Sequence, residues 1–196
     1  MNPLYGLVLA GGKSIRMGED KSQISYFGIE HRIFLAKMLA PFCEKVYISC
    51  QQEQISKNTI DFNTITDQVP SKGPMSGLLS AFLLHKEVAW FIVPCDLPLF
   101  SARNIKQLIT ERDPNAIATV FKSTTNNLPE PLTGIWEATA FPLIQEQYNE
   151  GNYSLINILN HNQICLVTAL DPEGLTNVNT PEEKRAFSLA HPSVQF

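Results

Sequence analysis

Residues 4–12 read LYGLVLAGG, so that a predominantly apolar run ends in two glycines, Gly11 and Gly12. A nearly continuous apolar run is typical of a central strand in a parallel sheet, because such a strand is buried on both faces. Glycine lets the backbone turn sharply and approach a ligand closely, since it has no Cβ. The stretch therefore predicts a first strand whose carboxyl end faces a binding site.

The rest of the chain alternates strand-like and helix-like segments. Strand-like apolar runs lie at residues 4–10, 46–50, 60–66, 88–95, 116–121 and 164–170. Apolar residues at helical spacing lie at 33–42, 75–85 and 101–112, the last with Ser101 as the N-cap. This alternation predicts an α/β fold of three layers, in which helices cover both faces of a mainly parallel sheet. In such sheets, ligands bind at the carboxyl ends of the strands.

Length and composition narrow the class of protein. The 196 residues suit a single domain over 1–190 with a loose C-terminal end at 191–196. The net charge of −4 argues against nucleic-acid binding. No run approaches the roughly 20 apolar residues that cross a bilayer, and the N-terminus lacks signal-peptide features. We therefore expect a cytoplasmic protein without a membrane partner, and polar loops at 123–131 and 171–179.

The segment after the first strand combines glycines with positive charge. Residues 9–21 read LAGGKSIRMGEDK. The N–H groups of a glycine-rich loop cradle phosphate oxygens, and Arg16 and Lys21 bring positive charge to the same place. The spacing matches neither the Walker A loop nor the dinucleotide motif. On spacing alone, an ordinary glycine-rich turn with solvated basic side chains remains the alternative.

An aspartate follows a second central strand. Residues 90–100 read WFIVPCDLPLF, and the flanking prolines prevent a helix from continuing through Asp96. Its carboxylate is expected at the carboxyl edge of the sheet, where it can hold Mg²⁺ bridging to substrate phosphates. The alternative is a local role in the turn or in capping the helix near Ser101.

These two segments resemble one family of enzymes. Residues 9–21 resemble the signature L-A-G-G-x-S-x-R-M-G-x-D-K of the MobA-type nucleotidyltransferases at every fixed position, and residues 94–98 resemble its P-C-D-x-P segment. The resemblance implies a three-layer Rossmann-like nucleotidyltransferase fold with Mg²⁺ on Asp96. With the loop chemistry above, it assigns nucleotide contacts to Leu9, Ala10, Gly11, Gly12, Lys21, Gln51, Asp67 and Asp96, and catalysis to Arg16, Lys21 and Asp96.

Two of these assignments lie at other strand ends. Asp67 precedes G-P-x-x-G at residues 73–77, as in the family; taken alone, it can be a turn former at the strand end. Gln51 stands where guanylyltransferases of the family usually have Asn. An amide can read the edge of guanine, but Gln is longer by one methylene, so the choice between GTP and CTP stays open. The alternative is a solvated loop glutamine.

The C-terminal region carries a third resemblance. Residues 175–187, LTNVNTPEEKRAF, resemble the family element N-x-N-T-P-E-x. The amides of Asn177 and Asn179 can bind the acceptor or complete the metal shell, or they only shape the turn before a helix that starts at Pro181. Residues 130–136 and 151–159 resemble a strand and a helix start of the family more weakly.

The resemblance implies a complete reaction. GMP is transferred from GTP to molybdopterin that carries molybdenum, which forms a guanine dinucleotide cofactor and releases pyrophosphate. The alternatives are a cytidylyltransferase acting on the same or another phosphorylated acceptor, and a non-catalytic nucleotide-binding regulator. Expected partners are GTP, molybdopterin and, transiently, the proteins that donate or accept the cofactor.

Overall fold

A seven-stranded sheet with helices on both faces forms the centre of this protein. The computed structural model describes residues 1–11, 25–26, 28–55 and 62–191. Its strands are β1 (Leu4–Leu9), β2 (Ser25–Tyr26), β3 (Ile29–Glu30), β4 (Lys45–Ser49), β5 (Asn63–Ile65), β6 (Ala89–Pro94), β7 (Ala118–Lys122), β8 (Pro129–Trp136) and β9 (Ile164–Val167). Its helices are α1 (His31–Leu39), α2 (Pro74–Leu84), α3 (Ala102–Thr110), α4 (Phe141–Asn149), α5 (Leu155–Asn160) and α6 (Pro181–Ala190).

The strand order is β5-β4-β1-β6-β8-β7-β9, which puts β1 between β4 and β6. β1 pairs in parallel with both neighbours, and β5 and β9 also join the sheet in parallel. β8 runs antiparallel to β6 and to β7. The strands β2 and β3 form a separate antiparallel pair. The prediction of a mainly parallel sheet is confirmed, with β8 as an antiparallel insertion.

The expected polar loop at 123–131 is partly wrong, because β8 begins at Pro129. The first half of β8 is only half-buried, and its register against β7 shifts between Val120 and Lys122. Proline is tolerated where a strand is irregular or lies at an edge, since it cannot donate to the ladder. The two prolines of this stretch therefore mark the irregular half of a strand rather than its absence.

The core has two layers, one on each face of the sheet. Consecutive residues of a strand point to opposite faces, and Leu7 and Val8 of β1 are both fully buried, one in each layer. Helices α1 and α3 cover the face of Val8, while α2, α4 and α5 cover the face of Leu7. This arrangement confirms the three-layer prediction. No helix in the described residues is long and apolar enough to cross a membrane.

The start of α2 lies close against the carboxyl ends of β1 and β4. Gly73 has a φ of +81° and precedes Pro74, the first residue of the helix, as the glycine–proline pair predicts. A Cβ on Gly77 would lie 2.8 Å from Ser49 Oγ and 3.1 Å from Leu9 Cδ2. Glycine at this position therefore allows the first turn of α2 to approach the sheet beside the predicted binding edge.

Candidate functional site

The carboxyl ends of four parallel strands form one continuous edge. Three backbone hydrogen bonds extend the pairing beyond the strands: Ala10 N–H to Ser49 O (2.8 Å), Cys95 N–H to Leu9 O (3.1 Å) and Cys50 N–H to Ile65 O (3.0 Å). The segments that follow β5, β4, β1 and β6 therefore leave the sheet side by side. Of these four strands, β5 and β6 lie farthest apart, at three interstrand spacings or about 14 Å.

Four of the residues predicted for the nucleotide lie along this edge. Asp67 follows β5, Gln51 follows β4, Gly11 follows β1 and Asp96 follows β6. Asp67 and Gly11 are exposed, and Gln51 and Asp96 are half-buried. The edge thus offers two carboxylates and an amide on either side of an exposed glycine. This is the position where open α/β sheets bind their ligands.

Leu9 and Ala10 differ from these four residues because their side chains belong to the core, with 8% and 3% exposure. Their backbones also contribute to the sheet, since Leu9 O accepts from Cys95 N–H and Ala10 N–H donates to Ser49 O. Any contact of these two residues with a nucleotide must therefore come from backbone atoms. Gly11, one residue later, is the first exposed position after β1.

The C-terminal segment meets the edge at Asp96. The N–H of Val178 donates to Asp96 O over 2.9 Å, and the Val178 side chain is buried. Asn177 and Asn179 flank this contact, the first exposed and the second half-buried. The two predicted acceptor residues are therefore neighbours of the predicted metal ligand, although more than 80 residues separate them in sequence.

Helix α3 holds this segment in place. Asn104 is fully buried, and its Nδ2 donates to Asp171 O over 2.9 Å. Ser101, the predicted N-cap of the helix, donates from Oγ to Asp171 Oδ2 over 3.1 Å. Gly174 packs directly on the amide of Asn104, where a Cβ would clash. These contacts fix the approach of residues 171–178 to Asp96.

Helix α6 begins at Pro181, as predicted, directly after the Asn179 turn. Glu183 Oε2 accepts from the N–H groups of Asn179 (2.6 Å) and Thr180 (3.2 Å), and Thr180 Oγ1 accepts from Glu183 N–H. This reciprocal capping satisfies N–H groups that the first turn leaves without intrahelical partners. The cap also defines the backbone path of Asn179.

A buried histidine supports the Asp96 loop from the other side. His31, at the start of α1, is fully buried, and its Nε2 lies 2.9 Å from Leu97 O. Burial lowers the pKa of His31 to about 4, although the hydrogen bond to the Leu97 carbonyl partly opposes this effect. The imidazole is therefore neutral at pH 7. Since a carbonyl only accepts, Nε2 carries the proton and donates it.

The sequence analysis missed His31, Arg32 and Asn104 as parts of this site. All three are fully buried, yet each is a polar residue near a helix start, where such residues are usually solvated. The backbone carbonyls that they bind, on Leu97, Gln54 and Asp171, lie 22 to 67 residues away along the chain. No local pattern marks contacts of that separation.

The carboxylate oxygens at this edge are suitable ligands for a hard cation that is bound together with a phosphate. In the part of the chain that the structure describes, no three His, Cys, Asp or Glu side chains form a preformed metal cage. Asp96 offers a single carboxylate. Mg²⁺ is typically held by one or two carboxylates and takes its other ligands from water and substrate phosphates. The arrangement is compatible with that ion and does not resemble a closed zinc site.

Three predicted residues of the phosphate loop, Gly12, Arg16 and Lys21, lie outside the described residues. Their convergence with Asp96 therefore stays a prediction. The described part of the loop ends at Gly11, whose position beside the strand carrying Asp96 is set by the pairing of β1 with β6.

Comparison with known proteins agrees with this geometry. The family model "MobA-like NTP transferase domain" matches residues 6–164. A molybdenum cofactor biosynthesis bifunctional protein of Synechocystis sp. is 34% identical over 92% of this chain, which spans only 52% of that longer protein. A probable molybdenum cofactor guanylyltransferase of Flavobacterium johnsoniae is 28% identical over 96% of this chain and 98% of its own length.

A solved structure shows the same fold. The molybdopterin-guanine dinucleotide biosynthesis protein A of Archaeoglobus fulgidus superposes with a TM-score of 0.79, covering 96% of this chain and 99% of its own, at 18% sequence identity. The family match covers most of the chain, including the strand ends that carry Gly11, Gln51, Asp67 and Asp96. This protein therefore belongs to the family of MobA-like NTP transferase domains and is an enzyme of the nucleotidyltransferase class.

Proposed function

We propose that this enzyme transfers GMP from GTP to molybdopterin carrying molybdenum, with Mg²⁺ as its metal. A terminal phosphate oxygen of the acceptor attacks the α-phosphorus of GTP, the bond from that phosphorus to the bridging oxygen breaks, and pyrophosphate leaves. The product is a guanine dinucleotide form of the cofactor. The acceptor is supported by two relatives, the molybdenum cofactor biosynthesis bifunctional protein of Synechocystis sp. and the probable molybdenum cofactor guanylyltransferase of Flavobacterium johnsoniae.

The observation that carries the proposal is the hydrogen bond between Val178 N–H and Asp96 O. It brings the segment with Asn177 and Asn179 to the strand end that carries the carboxylate. A transferase must hold both substrates at one reacting phosphorus. In this proposal the nucleotide lies along the edge from Gln51 to Asp96, and the acceptor approaches from the side of the asparagines.

The side chains have separate tasks in the reaction. The Gln51 amide pairs with the edge of the base, and Asp67 contacts the nucleoside side of the substrate. The N–H groups that begin at Gly11 bind phosphate oxygens, and Arg16 and Lys21 neutralise their charge. Asp96 would hold Mg²⁺, which supplies charge neutralisation at the phosphates when bound. Catalysis then consists of alignment and charge stabilisation, without a covalent intermediate on the protein.

A product assay tests the assignment directly. The purified chain is incubated with molybdenum-loaded molybdopterin, Mg²⁺ and either GTP or CTP, and both pyrophosphate and the dinucleotide product are measured. With GTP, we expect pyrophosphate to be released in an amount equal to that of the dinucleotide formed. Preference for CTP would replace the guanylyl assignment with a cytidylyl one. Binding of GTP without pyrophosphate release from any acceptor would indicate a non-catalytic regulator.

A matched pair of variants tests the role of Asp96. Asp96→Asn removes the charge with little change of shape, and we expect turnover to fall by about 100-fold or more, in the range of losses caused by removing one group that stabilises charge in a transition state. The control is Glu44→Gln, since Glu44 is exposed and its N–H bonds to Leu4 O at the opposite edge of the sheet. Equal activities of the two variants would refute the metal-binding role.

A further inference from the structure

Two adjacent polar residues at the start of α1 are completely removed from solvent. His31 and Arg32 both have 0% exposure. Burial of an arginine is unfavourable unless the charge is paired and its N–H groups are hydrogen-bonded. Helix α1 follows the short β2–β3 pair and packs on β1 and β4, and the contact of His31 with Leu97 puts its first turn at the same edge as the nucleotide site. The partners of these two residues show what the burial achieves.

Arg32 connects α1 to the loop that follows β4. Its Nη1 donates to Gln54 O over 2.8 Å, and its Nε and Nη2 lie 2.8 Å and 2.7 Å from Glu30 Oε2. Gln54 in turn accepts at Oε1 from Gln51 N–H, over 2.9 Å. A continuous chain of hydrogen bonds therefore leads from the Arg32 guanidinium to the backbone of Gln51. Any displacement of Gln54 therefore moves the backbone of Gln51, the residue that we propose reads the base.

His31 connects the same turn of α1 to the loop that follows β6. Its Nε2–H donates to Leu97 O over 2.9 Å, and Leu97 directly follows Asp96. The imidazole also stacks on Phe34, one turn along the helix, with 5.8 Å between ring centroids and 17° between ring planes. The ring is thus held from two sides, and its hydrogen bond fixes the carbonyl beside the predicted metal ligand.

The two loops do not pair with each other, because β1 lies between β4 and β6. Two interstrand spacings separate these strands, about 10 Å. We propose that His31 and Arg32 are positioning residues, which set the distance between Gln51 and Asp96 across Gly11. The inference rests on the proposed function of the edge. In this proposal, α1 holds the residue that binds the base at a set distance from the residue that binds metal at the reacting phosphate.

Arg32→Lys tests the connection to Gln51. Lysine keeps the charge but loses the planar fork that binds Glu30 and Gln54 together. We expect the KM for GTP to rise by about tenfold or more, as for a small misplacement of a positioning group, with kcat within about threefold and a smaller preference for GTP over CTP. A loss in kcat alone, with base preference unchanged, would contradict this role.

His31→Leu and His31→Gln test the connection to Asp96. Leucine removes the donor, so we expect kcat to fall by about 10- to 100-fold and half-saturation by Mg²⁺ to shift upward, as for outer groups that orient a ligand. Glutamine offers an N–H donor of similar reach and should recover most of kcat. If the leucine variant kept the kcat and Mg²⁺ dependence of the wild type, the role would be excluded.

Arg112→Lys is the matched control for Arg32→Lys. Arg112 forms a similarly buried pair with Glu137, with Nε 2.6 Å from Oε1, and also donates to Asn2 O. Asn2 precedes β1, so this pair lies at the amino end of β1, on the side of the sheet opposite to the nucleotide site. We expect a loss of thermal stability comparable to that of Arg32→Lys. The KM for GTP and the base preference should stay within about twofold of wild type, because residues far apart with no shared partners are nearly independent in energy.

Amide hydrogen exchange of the unliganded chain separates this inference from the proposed function. Peptides covering residues 51–55 should lose protection in Arg32→Lys, and those covering 95–98 in His31→Leu, while Arg112→Lys leaves both unchanged. If the wild type shows no turnover but this pattern appears, the proposed function fails and the positioning role stands. If the wild type turns over and all three variants exchange alike at these peptides, the positioning role is wrong.

Discussion

Replacement of Gly11 by alanine separates the stability of the fold from binding at its edge. The nearest described atoms to a Cβ at this position are Cys50 Cα and Ser49 O, both at 3.9 Å, which is an ordinary contact distance. The φ of Gly11 lies outside the left-handed region. The described part of the fold therefore accepts the methyl group, and we expect the free energy of unfolding to stay equal or rise by about 0.4–1 kcal/mol, because alanine restricts the unfolded chain.

Nucleotide binding should respond very differently. If the backbone at Gly11 donates to a phosphate, a Cβ there prevents close approach and weakens at least one hydrogen bond to a charged group. Such a bond contributes roughly 1.5–3 kcal/mol, which corresponds to a roughly 10- to 150-fold rise in the Kd for GTP. Thermal unfolding measures the first quantity, and equilibrium titration with a fluorescent GTP analogue, competed by unlabelled GTP, measures the second.

Gly134→Ala is the control that should behave in the opposite way. Its Cβ would lie 2.6 Å from Thr119 O and 2.9 Å from Val120 Cα, so that β7 and β8 must separate. Overpacking of this kind destabilises by about 1–3 kcal/mol or more, and each kcal/mol lowers the Tm of a protein of this size by about 2–4 °C. The reasoning is refuted if Gly11→Ala loses stability as Gly134→Ala does, or keeps the wild-type affinity for GTP.

Three further changes give measurable results. The folded-state pKa of His31 is lowered to about 4 from 6.5, so its contribution to stability is present at pH 7 and is lost as the pH falls from 6.5 to 4, by up to about 3 kcal/mol. The free energy of unfolding in urea should therefore fall more steeply with decreasing pH in the wild type than in His31→Gln. Equal slopes would contradict the assignment. Gly174→Ala, which places a Cβ on the Asn104 amide, should raise the KM for the acceptor more than that for GTP in steady-state kinetics. Glu137→Gln leaves the buried Arg112 charge without its partner and should cost about 3–5 kcal/mol in chemical unfolding, whereas replacing both residues by methionine should recover part of that loss.

Local signals predicted the elements around β1 well. Buried strands β1, β4 and β6 appear in the sequence as continuous apolar runs, and α2, α3 and α6 begin at the positions that Pro74, Ser101 and Pro181 indicate. These features depend on residues within a few positions of each other. Helix α4 was not predicted, and β8 was indicated only by the weak resemblance of residues 130–136 to a family strand, because both stretches carry prolines and mixed polarity whose burial depends on distant neighbours.

The sequence predicted which residues gather at the carboxyl edge of the sheet, but not their geometry. The glycines after β1 and the aspartate after β6 pointed to Gly11 and Asp96, since parallel strands bring their carboxyl ends together. Asp67 and Gln51 were reached only through the resemblance to the family, and the roles of all four residues stay predictions. The hydrogen bond that brings residues 177–179 to Asp96 joins segments that no local pattern relates.

By itself, the sequence determined the alternation of strands and helices, the glycine-rich turn after β1 and the acidic residue after β6, because each depends on backbone preferences and apolar spacing over a short stretch. Only the tertiary structure decided the order of the strands, the antiparallel placement of β8 and the burial of His31 and Arg32 beneath two loops at once. The physical reason is that burial and hydrogen bonding of a polar side chain depend on what the folded chain brings to it, and the carbonyls that Arg32 and His31 bind, on Gln54 and Leu97, lie 22 and 66 residues away.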